Sequence, residues 1–258
     1  MATVQVDIRD GVAEITLDNP PANALTEAMV GQLIAALDRA AADSAARVVV
    51  VRSAVAGRFC AGLDLAALDG AAPQKIRALL QQLYIGLQDA QRRLGKPSIA
   101  AVTGAARGGG MTLAVSCDLL VAGESATFGY PEIDVGVLPA IHFTLLPPIV
   151  GRHRAFDLLF TGRSFGAAEA SALGLVSRVV PDAAVLHAAR QLALQLAAKP
   201  QATLQAGRRA FLAACDNGSQ GGSTTAVDVF CDVAVSAQGR EGVQAFAQKR
   251  PPAWRRRG

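Results

Sequence analysis

The stretch that decides the fold is Lys96–Ala122, KPSIAAVTGAARGGGMTLAVSCDLLVA. It opens and closes on short continuous apolar runs, Ile99–Val102 and Leu119–Ala122, of the kind buried on both faces of a parallel sheet. Between them three glycines, Gly108–Gly110, open an apolar helix read over Thr112–Ser116. A glycine run leaves the first N–H groups of that helix without side-chain caps, and with no Cβ a ligand atom can approach the backbone closely. The positive end of the helix dipole favours negative charge at the same place. A second glycine-marked segment, Gly57–Leu65 (GRFCAGLDL), lies about 45 residues upstream. An N–H from the backbone around Gly62 would complete a two-donor oxyanion hole, which points to a carbonyl that becomes an oxyanion.

Outward from this stretch the chain alternates strands and helices. Val4–Ile8 and Val12–Leu17 alternate apolar and polar residues around Asp10–Gly11, which predicts a hairpin with a mirror-image turn. After Pro20–Pro21, Leu25, Met29, Val30, Leu33, Ile34 and Leu37 recur at helical spacing. Val48–Val51 reads as another strand buried on both faces, and Ile76–Leu94 as a helix. Strands alternating with helices imply parallel pairing and an α/β architecture. From about Arg152 helix patterns dominate: Arg154–Phe160, Ala167–Leu173, Ala183–Ala198 and Pro200–Cys215, with one short strand candidate at Val176–Val180. Asn217–Ser223 reads as a turn, and Thr224–Gln238 and Gly239–Gln248 as further helices. The expected organisation is a core over residues 1–198 and a helical region over 199–258.

Composition removes several function classes. No run of 18 or more apolar residues lacks charges, so no membrane span is expected, and the N-terminus has no signal-peptide pattern. Four widely spaced cysteines fit reduced thiols in a cytoplasmic protein better than disulfide or metal chemistry. No two histidines have metal-ligand spacing. The net charge of +4 includes five basic side chains in the last ten residues, so residues 1–248 carry −1 and the basicity belongs to the tail. That distribution argues against a nucleic-acid partner.

The segment Thr103–Gly110 (TGAARGGG) also fits the T-G-x-x-x-G-x-G nucleotide loop of short-chain dehydrogenases. Here it lies about 100 residues into the chain rather than after the first strand. That family also needs a Tyr-x-x-x-Lys pair, whereas Tyr84 and Tyr130 are followed four residues on by Gln88 and Asp134. The dehydrogenase reading fails.

An ordered set of segments decides the matter: NALT at Asn23–Thr26, FCAGLDL at Phe59–Leu65, the stretch Lys96–Ala122, ATFGYPEIDVGVLP at Ala126–Pro139, TGRSFGAAEASALGLVSRVV at Thr161–Val180 and FAQKRPPAW at Phe246–Trp254. In this order the chain resembles the crotonase superfamily, the enoyl-CoA hydratase/isomerase family, over essentially its whole length. The resemblance implies a spiral of repeated β-β-α turns and a C-terminal helical region that mediates trimerisation, with two trimers commonly forming a hexamer. It implies an acyl-CoA substrate and no tightly bound cofactor or metal, coenzyme A being part of the thioester. The thioester carbonyl would sit between the N–H groups of Leu63 and Gly109.

Which acid or base acts is the open point. The family's hydratases carry two glutamates, and this chain has Glu132 at one position and Thr112 at the other. A threonine hydroxyl has no useful acid–base chemistry near neutrality and serves at most to orient a water or a substrate group. A single carboxylate suffices to carry a proton from C2 to C4 of a 3-enoyl-CoA, as in the family's isomerases. A hydratase using Glu132 and a Thr112-held water is the alternative, and a non-catalytic CoA- or RNA-binding protein a remote one. The position eight residues beyond Glu132, a catalytic aspartate in some relatives, is Ala140. Glu124, Asp118 and Asp64 match positions that are largely structural in the family. Similarity places CoA against Ala24, Ala61, Leu63, Asp64 and Leu65, with Phe246 and Lys249 of a neighbouring subunit covering the nucleotide. The acyl pocket is expected to draw on Leu68, Leu79, Leu83, Tyr84, Phe128 and Leu138. His142, in the pocket-lining segment after LPAI, is read as a neutral histidine satisfied by backbone.

Overall fold

The computed structural model describes residues 3–65, 71–217, 230–233 and 236–255. The chain opens with the expected hairpin, β1 (Thr3–Arg9) against β2 (Val12–Asp18). Asp10 and Gly11 have φ of 53° and 81°. Left-handed torsions at both central positions match the twist of the strands they join. Along β2, Ala13, Ile15 and Leu17 alternate inward and are fully buried. After β3 (Ala24–Leu25), the Thr26 hydroxyl caps α1 (Glu27–Ala42) by accepting from the Met29 N–H at 3.2 Å.

Three similar turns follow. The first comprises β4 (Val48–Ser53), β5 (Arg58–Cys60), β6 (Gly62–Leu63), α2 (Pro73–Gln81) and α3 (Leu87–Arg93). The second is β7 (Ser98–Val102), β8 (Ala105–Arg107) and α4 (Gly109–Ser116). The third is β9 (Leu119–Gly123), β10 (Thr127–Gly129), a 3-10 turn at Pro131–Val135, then α5 (His142–Leu145), α6 (Pro147–Val150) and α7 (Arg152–Thr161). Each turn gives one strand to each of two sheets. With β11 (Phe165–Gly166) and β12 (Arg178–Val180), which flank α8 (Ala167–Ala172), the orders are β1-β2-β4-β7-β9-β12 and β11-β10-β8-β5. The pairings between successive turns are parallel. This is the β-β-α spiral.

The continuous apolar strands are explained by two cores, one on each face of the larger sheet. Val49, Val51, Ala100 and Val102 point into the interior of the spiral. Val48, Val50, Ile99 and Ala101 point the other way, onto the face covered by α9 (Val185–Ala197). Beyond it, α10 (Gln201–Asn217) is tied to the spiral by Arg208, whose Nε donates to Asp118 Oδ2 at 2.8 Å and whose Nη2 donates to the Gln91 carbonyl at 2.9 Å. Asp118 also accepts from the Ser98 N–H and hydroxyl, which gives this acid the structural role expected of it.

Some elements differ from expectation. The helix read over Ile76–Leu94 starts at Pro73 and is broken by a π turn at Gln82–Gly86. Close packing accompanies it: a Cβ on Gly86 would stand 3.2 Å from Ile34 Cδ1, and one on Gly31 3.2 Å from Gln82 Nε2. The strand candidate Val176–Val180 shortens to Arg178–Val180. The C-terminal helix runs over Ala237–Ala247, and the segment 218–229, expected as turn and helix, lies outside the described residues. Among the described residues no helix is long and apolar enough to cross a membrane.

Candidate active site

The floor of the site is backbone. β6 pairs with β3 (Leu25 opposite Leu63), and the Asp64 N–H donates to the Leu25 carbonyl at 3.1 Å. Alternation along the strand therefore turns the Leu63 N–H away from β3 and toward α4. On the other side, Gly109 is the first residue of α4, where helical geometry leaves its N–H without an intrahelical acceptor. The two segments touch closely: a Cβ on Gly62 would stand 3.0 Å from the Gly109 nitrogen, and one on Gly109 3.3 Å from the Leu63 nitrogen. Both junctions need glycine torsions, with Gly62 at φ 91° and Gly108 at φ 45°, ψ −110°. Beneath them Gly110 rests on the Cys60 carbonyl, which a Cβ would approach to 2.2 Å.

The wall opposite is the 3-10 turn Pro131–Val135, which carries Glu132. Its carboxylate hangs over Gly108, where a Cβ would meet the two carboxylate oxygens at 2.9 and 3.0 Å. A cavity of about 210 Å³ lies between floor and wall, lined by Gly62, Leu63, Gly109, Glu132, Tyr84 and Leu138 among others. Tyr84, on the π turn, also borders a wider hollow of about 800 Å³ that includes Ile76, Leu80, Ile85 and Ile141. Burial holds the Glu132 carboxyl above the ordinary carboxylate value. The Tyr84 phenol is raised by burial and by the neighbouring Glu132, so it stays protonated. The arrangement can present two backbone donors to an oxygen and one carboxyl, raised by burial, to a proton.

Of the residues expected at the site, Ala61, Leu63, Leu65, Gly109, Glu132 and Leu138 all line this cavity. Ala24 and Asp64 lie half-buried on the paired segments beside it. Thr112 and His142 are not among the lining residues; each is 1% exposed, behind the wall. The expectation for both is corrected here. The Thr112 hydroxyl lies 3.1 Å from His142 Nε2, and His142 Nδ1 lies 3.2 Å from the Tyr130 hydroxyl, so side chains rather than backbone alone satisfy the imidazole. Burial pushes His142 down to about 3, which keeps it neutral. Leu79, Leu83 and Phe128 are core rather than pocket, because the helix and strand that carry them turn those side chains inward. Leu68 lies outside the described residues. Phe246 and Lys249 line a separate hollow with Arg250 at the end of the C-terminal helix, and one chain does not bring them to Glu132. Arg107 was missed: it lines the cavity with its guanidinium held by the Thr127 carbonyl at 2.7 Å and hydroxyl at 2.9 Å. Its place directly before the glycine triplet was the available signal.

Known proteins share the family and the fold of this chain. The chain matches the family described as enoyl-CoA hydratase/isomerase over residues 7–257. It is 37% identical over 252 residues to a probable enoyl-CoA hydratase of Rhodobacter capsulatus, covering 97% of this chain and 96% of that one. Identity to the 2,3-dehydroadipyl-CoA hydratase of Escherichia coli is 36% over 254 residues, or 98% of each chain. The crystal structure of an enoyl-CoA hydratase of Mycobacterium smegmatis superposes with a TM-score of 0.92 at 32% identity, covering 98% of both chains. The family match spans nearly the whole chain and the β-β-α spiral recurs in a solved relative, and this protein is an enzyme of the enoyl-CoA hydratase/isomerase family with the crotonase fold.

Proposed function

We propose that the enzyme moves the double bond of a 3-enoyl-CoA into conjugation with the thioester, giving the 2-enoyl-CoA. The observation that carries this reading is that Glu132 is the single carboxylate among the described residues lining the cavity of the two donors. The Leu63 and Gly109 N–H groups receive the thioester oxygen. The Glu132 carboxylate takes a proton from C2, and the C2–H electron pair forms a dienolate whose charge rests on that oxygen. The resulting carboxylic acid returns the proton to C4, so the double bond passes from C3=C4 to C2=C3 with no change in atoms or electrons. A carboxyl raised by burial suits a group that must be both base and acid within one turnover. Coenzyme A is substrate here, held along Ala24, Ala61, Asp64 and Leu65. Phe246 and Lys249 come from a neighbouring copy in a homotrimer or dimer of trimers, in which residues 199–258 make the contacts. The 67% and 87% exposure of Phe211 and Phe246 supports that assembly.

Hydration of a 2-enoyl-CoA is the second reading, favoured by the hydratase names of the relatives. In that reaction Glu132 alone would activate the water, since the Thr112 hydroxyl is engaged by His142. Supplying a 3-enoyl-CoA and, separately, crotonyl-CoA distinguishes the two. Conversion of the first without hydration of the second is expected, and Glu132→Gln should lower the rate about a thousandfold. Rapid hydration of crotonyl-CoA would overturn the isomerase reading, and an unimpaired Glu132→Gln would overturn the single-carboxylate mechanism altogether.

A further inference from the structure

Behind the cavity three side chains form a continuous hydrogen-bonded chain that neither reading of the reaction uses. Tyr130 immediately precedes the turn bearing Glu132 and is fully buried. Its hydroxyl lies 3.2 Å from His142 Nδ1, His142 Nε2 lies 3.1 Å from Thr112 Oγ1, and Thr112 Oγ1 donates to the Gly108 carbonyl at 3.5 Å. The Tyr130 ring and the imidazole pack at 4.5 Å between centroids. Counting protons assigns one direction. If the Thr112 hydroxyl donates to Gly108, its oxygen accepts from Nε2–H, and Nδ1 accepts from the Tyr130 hydroxyl. Every proton in the chain then meets an acceptor.

The end point matters because the Gly108 carbonyl and the Gly109 N–H belong to one planar peptide, in which they point in opposite directions. Gly108 carries no Cβ, so its own torsions do little to hold that plane. The Thr112 N–H, at 3.1 Å, and the Thr112 hydroxyl both act on its carbonyl. At the same time the Gly108 N–H donates to the Gly129 carbonyl at 3.1 Å, next to Tyr130. We propose that Thr112, His142 and Tyr130 are positioning residues that clamp the Gly108–Gly109 peptide, aiming the Gly109 N–H at the thioester oxygen and tying it to the segment that carries Glu132. Donors on the carbonyl side also polarise the amide, which strengthens its N–H as a donor. The neutral imidazole serves as a fixed dipole here and moves no net proton.

This inference rests on the proposed role of Leu63 and Gly109 as the oxyanion donors, so the test is chosen to separate the two. The probe is a saturated acyl-CoA with a 13C-labelled thioester carbonyl, which binds without reacting, and its carbonyl stretch is read by infrared difference on the full-length protein. Wild type is expected to lower the stretch relative to free probe. Thr112→Val should lose about half of that lowering and about tenfold in kcat, with KM within about threefold, since the donor is loosened rather than removed. Thr112→Ser, which keeps the hydroxyl, should recover most of both. Tyr130→Phe, which removes one oxygen at the far end, should shift both readouts in the same direction by less and serves if Thr112→Val does not fold. A folded Thr112→Val with the wild-type stretch and kcat would overturn the relay while leaving the donor assignment intact. No lowering in wild type with bound probe would overturn the donor assignment, and the relay with it.

Discussion

The floor and the wall of the cavity are built on opposite principles. The floor is backbone against backbone: Gly62 against Arg107 and Gly109, and Gly110 against the Cys60 carbonyl, with no room for a Cβ. The wall is a single 3-10 turn and the segment after it, where Val135 and Leu138 are 63% and 52% exposed. The difference teaches how labour is divided. Charge developing on a carbonyl oxygen is best met by donors that need no reorganisation, and a packed backbone provides them independently of pH. A proton carrier, the role proposed for Glu132, needs a side chain that titrates, and partial burial holds that carboxyl above the ordinary carboxylate value.

The sharpest way to break this contrast is to place a Cβ where floor meets wall. Gly108→Ala forces a left-handed torsion on a substituted residue and drives its methyl to about 3 Å from the Glu132 carboxylate. It should lower kcat/KM about a thousandfold or more, because donor and base are displaced together. Initial rates with a 3-enoyl-CoA check this, with circular dichroism confirming the fold. A smaller effect separates the titrating wall from the silent floor. In the proposed mechanism the rate should rise with pH through a midpoint above the ordinary carboxylate value, because the ionised Glu132 is the form that would remove the C2 proton and burial disfavours it. Gly108→Ala should keep that midpoint's direction, whereas Glu132→Gln should abolish it. A flat profile for wild type would mean that the carboxyl does not carry the proton. The smallest effect belongs to the outer wall. Val135→Ser should raise KM for the acyl-CoA about threefold and leave kcat and the melting temperature unchanged, since it removes apolar area that is mostly solvent-facing already.

Much of the floor was readable in the chain because its requirements are local. A glycine triplet opening an apolar helix, a second glycine before Leu63 and a hairpin at Asp10–Gly11 each follow from torsions that few residues adopt. The buried strands were readable for the same reason, as apolar runs covered on both faces. Side chains that pack from the side were not. Leu83 and Phe128 differ from Tyr84 and Leu138 only in which way their elements turn them, and apolar periodicity does not distinguish core from cavity. The π turn that carries Tyr84 lies where Gly31 and Gly86 let elements far apart in sequence pack closely, and spacing along the chain does not show such a contact.

Thr112 shows the boundary between the two kinds of information. The sequence by itself determined the spiral, the glycine-marked segments that bring Leu63 and Gly109 together, and the presence of a hydroxyl at Thr112 in the helix that follows. Those are properties of residue type and spacing along one segment. Only the tertiary structure decided that this hydroxyl faces away from the cavity and bonds His142, a residue 30 positions later, which in turn meets Tyr130. The reason is geometric. Local torsions and hydrophobic period set where a helix begins and which stripe it buries, but what lies against a buried polar atom depends on how distant turns of the spiral stack, and spacing within one segment does not encode it.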